Sequence, residues 1–442
     1  MAEPGLRAGP VGRIFGNLGR LLSGKAAAGV LSLAYMALAT RALGPRDYGI
    51  LVLVHTYAMT VGGLVAFPGW HAIVRFGAQA VAIDDRPRLA RLLRFVGLVE
   101  GAGGLLAVIV AALLAPVVGR QLGWSPTAMA FAGPYSLAVL GSIRATPAGY
   151  LQLAGRFDLI GAHNLIAPFV RLAGAMWAVG IHAGLRGFLV AWLAAALAEW
   201  AVLWTMGVIV ARRRLGATPI LGGLTGVLAE NPGVWRFMFA ANADITLGEA
   251  SARLAPLAVG WTLGPVAAGF YAVGQRVTVV LAQPAQILGQ AAYAELARLA
   301  AGGGRGAEVR QALLRCLFVA GAVAVPVLAL IAIFSRELAV LVGGRAFATA
   351  GGIILWLALA RTMLLFAPPT SAALTALGRP GLSVIANLAA GVGLLGLLPP
   401  MLIWLGLTGA GLHALLTAVA ASGLLAGFLW RETRGPSRAA VI

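Results

Sequence analysis

One seven-residue pattern, Leu-Gly-Pro followed by three variable residues and a glycine, occurs twice in this 442-residue chain. The first copy runs from Leu43 to Gly49, and the second runs from Leu263 to Gly269, 220 residues later. A second echo, from Gly155 to Ala167 and again from Gly378 to Ala390, has an offset of 223 residues. Two unrelated patterns at nearly one offset indicate a duplicated chain. Repeats of this size are typical of internally symmetric transporters.

The rest of the sequence indicates a membrane protein. Hydrophobic residues make up 60% of it, charged residues make up 11%, and the mean hydropathy is +0.91. A soluble domain is closer to roughly 45–50% apolar and 25% charged. Apolar runs of about 20 residues, long enough to cross a hydrocarbon core about 30 Å thick, follow one another along nearly the whole chain. We therefore predict an all-α integral membrane protein.

The distribution of basic residues predicts the topology. The apolar runs divide into twelve predicted transmembrane helices, and of the 33 basic residues 21 fall in one set of alternate loops and six in the other. By the positive-inside rule both termini are cytoplasmic. Six helices per half give the two halves the same orientation, as parallel repeats. The predicted parts are an N-lobe (1–211), a cytoplasmic linker (212–236), a C-lobe (237–430) and a cytoplasmic tail (431–442).

Six of the 33 basic residues fall inside the predicted helices. A charge at the centre of a membrane helix costs roughly 2.5 to 3.5 kcal/mol, so these side chains are expected to face a cavity or an opposite charge. A cavity lined by cations favours an anionic substrate. We assign five of the six to the wall of such a cavity: Lys25, Arg144, Arg253, Arg276 and Arg361. For Arg171, the sixth, and also for Lys25 and Arg361, the open alternative is a position near a helix end, from which the side chain reaches the membrane surface.

Polar residues on the seventh and eighth predicted helices extend this wall. Asn242, Thr246, Glu249 and Arg253 are spaced by four, three and four residues, which places them on one face of the seventh helix. On the eighth helix, Gln283 and Gln290 lie on the same side as Arg276. The predicted polar cavity wall therefore consists of Asn242, Thr246, Gln283 and Gln290.

Three acidic residues inside the predicted helices have two open interpretations. Glu100, Asp244 and Glu249 either neutralise a nearby cation or couple transport to an ion. The spacing from Glu249 to Arg253 is the favoured one for an ion pair within a helix, and so favours the first interpretation there.

The sequence contains no recognisable catalytic or cofactor motif. Its five histidines lack metal-ligand spacing, and neither a Walker-type phosphate loop nor a nucleophile elbow occurs. We therefore expect no enzymatic activity, no metal and no cofactor. The net charge of +19 would suggest nucleic acid in a soluble protein, but here it follows the loops, so we expect no nucleic-acid partner.

Three segments resemble one family of transporters. They are YMALATRALGPRDYG from Tyr35, LGPVAAGFYAVGQR from Leu263 and GYLQLAGRFDLIGAHN from Gly149. They resemble the polysaccharide and O-antigen flippases of the multidrug/oligosaccharidyl-lipid/polysaccharide exporter superfamily. One departure is that many relatives carry an acidic residue shortly before the second Leu-Gly, where this chain has Arg253.

The resemblance implies a fold and a function. The fold is twelve helices in two six-helix lobes around a central cavity, working by alternating access. The implied function is movement of an undecaprenyl-pyrophosphate-linked oligosaccharide across a bacterial inner membrane for surface polysaccharide synthesis. The implied partners are this lipid-linked oligosaccharide, the membrane lipids and a polysaccharide polymerase. In such flippases cations receive the pyrophosphate and sugar, and Lys25, Arg253 and Arg276 lie on the corresponding helices.

Two other functions stay open. A drug or cation exporter of the same superfamily fits less well, because a cationic cavity repels cationic drugs. A membrane enzyme that polymerises or ligates the glycan typically carries its catalytic residues on a large periplasmic loop, and here every predicted outward loop is short.

Overall fold

The computed structural model describes residues 10–216, 223–281 and 306–434, and within these ranges the chain is helical with no β-strand. The helices are α1 (Pro10–Val65), α2 (Trp70–Ala82), α3 (Arg86–Gln121), α4 (Pro126–Tyr135), α5 (Ala145–Leu153), α6 (Phe157–His163), α7 (Ile166–Gly180), α8 (Gly184–Leu215), α9 (Val227–Glu230), α10 (Val234–Thr278), α11 (Gly306–Ile333), α12 (Ser335–Gly343), α13 (Gly351–Leu364), α14 (Ala367–Ala376), α15 (Pro380–Gly391), α16 (Leu398–Leu405) and α17 (Leu407–Arg434). Short 3-10 segments lie at Ser136–Ser142, Val279–Leu281, Arg345–Ala350 and Leu395–Leu397.

Within the described ranges, nine helical stretches are long and apolar enough to cross a membrane. They are Ala27–Val65, Arg86–Gln121, Phe157–Gly180, Gly184–Leu215, Ala252–Thr278, Arg310–Ile333, Arg345–Ala376, Pro380–Leu405 and Leu407–Thr433. The chain is thus an all-α, multi-pass membrane protein, as predicted. The count of twelve spans and the lobe boundaries stay predictions.

The two Leu-Gly-Pro motifs break their helices in the same way. Gly44 interrupts α1 with a φ of 69° and a ψ of 178°, and Gly264 interrupts α10 with a φ of 83° and a ψ of 178°. Glycine adopts a positive φ without the steric penalty of a Cβ, and the proline that follows supplies no backbone N–H. The sequence predicted separate helices on the two sides of each motif. In the structure, the non-helical glycine likewise separates two helices, which meet there at a kink.

In the described residues the duplication extends beyond the two sequence patterns. Glycines with positive φ recur in four pairs that are 220 to 223 residues apart: Gly44 and Gly264, Gly123 and Gly344, Gly155 and Gly378, and Gly184 and Gly406. Only two of these pairs belong to the patterns that the sequence singled out. The turns between helices are therefore built alike in the two repeats.

Internal contacts divide the chain into two units, which we describe separately. Unit 1 contains the residues up to Leu43 together with Val54–Thr246, and unit 2 contains Gly44–Leu53 together with the residues from Leu247 onward. A core of unit 1 lies among α2, α3, α5 and α8, around Ile73, Phe76 and Leu92. A core of unit 2 contains Leu313, Leu374 and Leu425.

The two copies of the repeated motif cross each other inside unit 2. A Cβ added to Gly269 would lie 2.7 Å from the carbonyl oxygen of Pro45, and one added to Gly49 would overlap the carbonyl oxygen of Pro265. Around the crossing, Tyr48 packs edge-on against Phe347, with ring centres 5.9 Å apart. The last glycine of each motif is therefore required because the backbone of the other copy occupies the place of its side chain.

Candidate substrate site

Unit 2 contains a cavity of about 290 Å³ with a partly polar wall. It is lined by residues of α10, α13, α15 and α17. Alanines and leucines make up much of the wall. The polar lining residues are Tyr271, Gln275, Thr278, Arg361, Asn387, His413 and Thr417. This volume lies at the small end of the roughly 300–1,000 Å³ typical of ligand pockets.

Arg361 supplies the charge of this cavity. It is half-buried on α13, a helix otherwise rich in leucine, isoleucine and alanine. Among the described lining residues no aspartate or glutamate occurs, and no ion pair of the described residues includes Arg361. A guanidinium in a low-dielectric wall attracts an anion strongly, and its planar fork suits a phosphate or a carboxylate. The cavity is therefore suited to an anionic group and unsuited to a cation.

The remaining polar atoms of the wall can bind hydroxyl groups. The Oγ1 atom of Thr417 is buried and has no hydrogen-bond partner among the described residues. The amide nitrogen of Asn387 donates to the carbonyl oxygen of Ser383 at 3.0 Å, and His413 donates from Nε2 to the carbonyl oxygen of Leu394 at 3.0 Å. These bonds fix the two side chains and leave the Asn387 carbonyl oxygen and His413 Nδ1 as further acceptors. A sugar or a phosphate ester carries the hydroxyls and oxygens that such a wall recognises.

The corresponding interior of unit 1 is filled by an arginine and aromatic rings. Arg171 on α7 donates to Tyr35 Oη at 3.3 Å and contacts His55 Nε2 at 2.8 Å. Its guanidinium carbon lies 5.4 Å from the ring centre of Trp192 and 5.7 Å from that of Tyr35. On its other side, His55 Nδ1 lies 3.0 Å from Tyr135 Oη. We call this network the Arg171 cluster. Its hydrogen bonds and cation–π contacts stabilise the positive charge of the Arg171 side chain itself.

The repeat offset relates the Arg171 cluster to the cavity of unit 2. With the offsets of 220 and 222 residues seen at the glycine pairs, Tyr35 corresponds to Ala255, His55 to Gln275 and Trp192 to Ala414. All three counterparts line the cavity. The cavity therefore lies where unit 1 has a tyrosine and a tryptophan and unit 2 has alanines.

Two predicted site residues form structural contacts at a helix break in unit 1. The predicted fourth span is interrupted at Arg144, whose φ of −145° is not helical. The Glu100 carboxylate is buried and accepts hydrogen bonds from the backbone N–H groups of Ala145 at 2.6 Å and Thr146 at 2.7 Å. Arg144 itself forms an ion pair with Glu199. Glu100 thus caps the first turn of α5, and Arg144 carries a counter-charge.

The structure describes the predicted polar stripe on α10 in part. Arg253 and Arg276 are half-buried, and neither belongs to the described lining of the unit 2 cavity. Asn242 is buried and donates to the carbonyl oxygen of Met238 at 2.8 Å, and Thr246 is half-buried one turn further on. Lys25, Asp244 and Glu249 lie within described helices, but their side chains fall outside the described residues, as do Gln283 and Gln290 entirely. Of the five predicted cavity cations, the structure therefore places Arg361 in a cavity.

Sequence reasoning missed most of the residues that accompany Arg361. Asn387 belongs to the second repeated pattern, which was used as a sign of duplication and not as a guide to a cavity wall. Gln275 immediately precedes Arg276, and because it is uncharged it was not found among the charged residues of the predicted helices. An alignment of the two repeats could have indicated the cavity, because Tyr35 and Trp192 of the first repeat correspond to alanines in the second.

Comparison with known proteins gives a family and a fold. Residues 38–350 match the model of a family described as "Polysaccharide biosynthesis protein". The chain is 26% identical over 286 residues to "Inner membrane protein YghQ" of Escherichia coli (strain K12), a match that spans 65% of this chain and 81% of the relative.

Several solved transporter structures share the fold. An inward-facing multidrug resistance MATE family transporter of the MOP superfamily matches with a TM-score of 0.66 and 15% identity over 93% of both chains. An outward-facing structure of such a transporter gives a TM-score of 0.59 and 16% identity over 98% of both chains. The bent form of the Vibrio cholerae MATE transporter VcmN gives 0.56 and 15%, over 96% of this chain and 98% of that one. At these identities the likeness shows the fold of this chain.

Proposed function

Because this chain belongs to the polysaccharide biosynthesis protein family, we propose that it is a flippase which moves an undecaprenyl-pyrophosphate-linked oligosaccharide across the bacterial inner membrane by alternating access. The observation that carries this proposal is the cavity of unit 2, in which Arg361 is the charged group among the described lining residues. Its guanidinium suits an anionic group of the substrate, and the side chains of Asn387, Gln275 and Thr417 suit sugar hydroxyls. Lys25, Arg253 and Arg276 remain further proposed substrate contacts.

A vesicle assay tests this role of Arg361. Purified protein is reconstituted with a polyprenyl-pyrophosphate oligosaccharide, and protection of the sugar from a membrane-impermeant glycosidase is followed over time. We expect Arg361→Ala to slow translocation about tenfold or more, because one charge-assisted hydrogen bond is lost. Arg361→Lys should retain part of the activity, since it keeps the charge without the planar fork. The matched control is Arg345→Ala, which removes an exposed arginine of the same unit.

Translocation by Arg361→Ala at the wild-type rate would contradict this assignment of the site. In that case the parallel variants Arg253→Ala and Arg276→Ala decide whether the cations of α10 bind the substrate instead. If only these two variants lost activity, the proposed function would be retained and the substrate site would be assigned to α10.

The alternative functions give different results in cells and vesicles. As a flippase, the protein is required for lipid-linked repeat units to leave the cytoplasmic face, so its deletion should make them accumulate there. If complete units instead reached the periplasm unpolymerised, the protein would be a glycan polymerase or ligase. The printed names of the fold neighbours describe multidrug transporters. Uptake of a quaternary ammonium dye into the same vesicles would favour an exporter of cations, and we expect none because Arg361 repels a cation.

A further inference from the structure

Unit 1 carries an apolar groove of about 380 Å³ between α3, α5 and α8. Its walls include Leu98 of α3, Pro147 of α5 and Val208 of α8. Leu98 is 60% exposed, so this part of the surface is not covered by the described residues of the chain. Arg94 lines the groove as well, and its guanidinium donates to the carbonyl oxygen of Gly223 at 2.9 Å. We call this space the acyl groove.

A second space of about 410 Å³ lies on the same three helices and on α2, and its lining includes charged residues. They comprise three arginines and two aspartates: Asp84, Asp85, Arg86, Arg213 and Arg214. Tyr150 of α5 lines both this space and the acyl groove. We call the second space the headgroup pocket.

The two spaces follow each other in the same direction along all three helices. On α8 the groove residues end at Ala211 and the pocket residues begin at Arg213, and on α5 the pocket continues one turn beyond Tyr150, to Leu153 and Ala154. On α3, which runs the other way, the pocket residues come first. From Trp204 in the groove to Arg214 in the pocket the helix rises about 15 Å, at 1.5 Å per residue. This matches half of a hydrocarbon core about 30 Å thick, which is the depth of one lipid leaflet.

The charges of the headgroup pocket have both signs. Arg213 and Arg214 are exposed at the end of α8 and suit a phosphate. Asp85 accepts a hydrogen bond from the backbone N–H of Arg88 at 2.9 Å and so caps α3. Asp84 is exposed and accepts a hydrogen bond from Arg86 Nε on Oδ1 at 3.3 Å, and its second carboxylate oxygen can accept one from an ammonium group. A purely anionic headgroup would use the arginines alone, whereas a headgroup with a phosphate and a primary ammonium uses both sets.

We propose that the acyl groove and the headgroup pocket together bind one glycerophospholipid with a phosphoethanolamine headgroup. One acyl chain lies between α3 and α8, the phosphate lies against Arg213 and Arg214, and the ammonium lies at Asp84. The bound lipid would complete the membrane-facing surface of unit 1 beside the helix break capped by Glu100.

Lipid retention measured by native mass spectrometry tests the headgroup assignment. Delipidated full-length protein is titrated with phosphatidylethanolamine, phosphatidylglycerol or phosphatidylcholine of identical acyl chains. We expect one tightly retained phosphatidylethanolamine, with weaker retention of the other two lipids. Arg213→Gln and Arg214→Gln should each weaken retention about tenfold, the effect of one charge-assisted contact. Arg212→Gln, the neighbouring arginine that does not line the pocket, should leave retention unchanged.

The variant Asp84→Asn tests the ammonium contact specifically. Asp84 has a φ of 49°, a conformation that asparagine also tolerates, so the turn should keep its shape. We expect this variant to lose the preference for phosphatidylethanolamine over phosphatidylglycerol. Stronger retention of phosphatidylglycerol by the wild-type protein would overturn the proposal, as would an unchanged preference in Asp84→Asn.

A matched pair of glycines on α3 tests the acyl groove. A Cβ on Gly97 would contact Trp204 at 3.6 Å, an ordinary distance, so Gly97→Leu should place its side chain in the groove without displacing a helix. Gly101, one turn further along α3, faces open space, and Gly101→Leu is the control. We expect Gly97→Leu to reduce retention at least fivefold relative to Gly101→Leu, by roughly the loss of one or two buried methylenes. Equal retention by the two variants would overturn the proposal, and so would displacement of phosphatidylethanolamine by a polyprenyl pyrophosphate in the wild type.

Discussion

The two repeats surround their interiors with corresponding helices and fill them differently. In unit 1, Arg171 is packed against Tyr35, His55 and Trp192. In unit 2, alanines at two of the corresponding positions leave a cavity, and the arginine comes from another helix, at Arg361. A duplicated scaffold thus provides one interior that is closed by its own side chains and one that is open to a ligand. This difference underlies our proposal that the cavity of unit 2 recognises the substrate, while the filled interior of unit 1 adds stability.

The repeats also differ in how the first turn of a short helix is capped, at α5 in unit 1 and at α14 in unit 2. In unit 1 the Glu100 carboxylate bonds the N–H groups of Ala145 and Thr146. At the offset of 222 residues, Thr146 corresponds to Pro368 in the first turn of α14. Proline has no N–H to satisfy, so unit 2 needs no buried carboxylate at this place. Glu100 thus serves as the acceptor for backbone N–H groups at the start of α5, and unit 2 has Pro368 where unit 1 has one of these donors.

Emptying the interior of unit 1 should have the largest effect on stability. Trp192 is 5% exposed, and its ring centre lies 5.2 Å from that of Tyr35. We expect Trp192→Ala to destabilise the protein by about 3–5 kcal/mol, since a large buried side chain is lost and a cavity remains. Thermal unfolding in detergent should show a midpoint lower by about 10 °C. Trp177→Ala, at a 50% exposed tryptophan of the neighbouring helix α7, should change the midpoint little. Equal midpoints for the two variants would show that the Arg171 cluster contributes no rigidity.

The crossing of the two Leu-Gly-Pro motifs is the feature in which the repeats are most alike, and it comes next in expected effect. A side chain at Gly49 would overlap the backbone of Pro265, which cannot move as a flexible side chain can. We expect Gly49→Val to destabilise the protein by up to about 3 kcal/mol. Gly29→Val, at a glycine of the same helix with open space around it, is the control. If unfolding midpoints and yields of the two variants were the same, the crossing would not be required for the fold.

Sequence reasoning predicted those parts of the protein that depend on local pattern. Apolar runs predicted an all-α membrane protein, and the repeated Leu-Gly-Pro motif indicated a duplicated chain. The crossing of Gly49 and Gly269 could not be predicted, because residues 220 positions apart in the chain are brought together only by tertiary packing. The role of Glu100 was missed for a similar reason: the groups it binds are backbone amides, which leave no trace in a list of charged side chains.

Removing the Glu100 carboxylate tests the second difference between the repeats. Glu100→Ala leaves the buried N–H groups of Ala145 and Thr146 without an acceptor, and we expect a loss of about 1–3 kcal/mol. The double variant Glu100→Ala with Thr146→Pro reproduces the proline of unit 2 and removes one of the two unsatisfied donors. Its unfolding midpoint should therefore recover part of the loss. A double variant less stable than Glu100→Ala would show that the first turn of α5 differs from that of α14 in more than its capping.

Filling the cavity of unit 2 should have the smallest effect on stability and a large one on function. Ala414→Trp is the reciprocal of Trp192→Ala, and it places an indole in a space of about 290 Å³. Because the space is already open, we expect a stability change of less than about 1 kcal/mol, below the usual range for overpacking a closed core. Translocation of the lipid-linked oligosaccharide should nevertheless fall at least tenfold. The control is Ala426→Phe, at an exposed position on the same helix, α17. Full activity in Ala414→Trp would mean that the hollow interior of unit 2 is a packing difference between the repeats with no part in recognition.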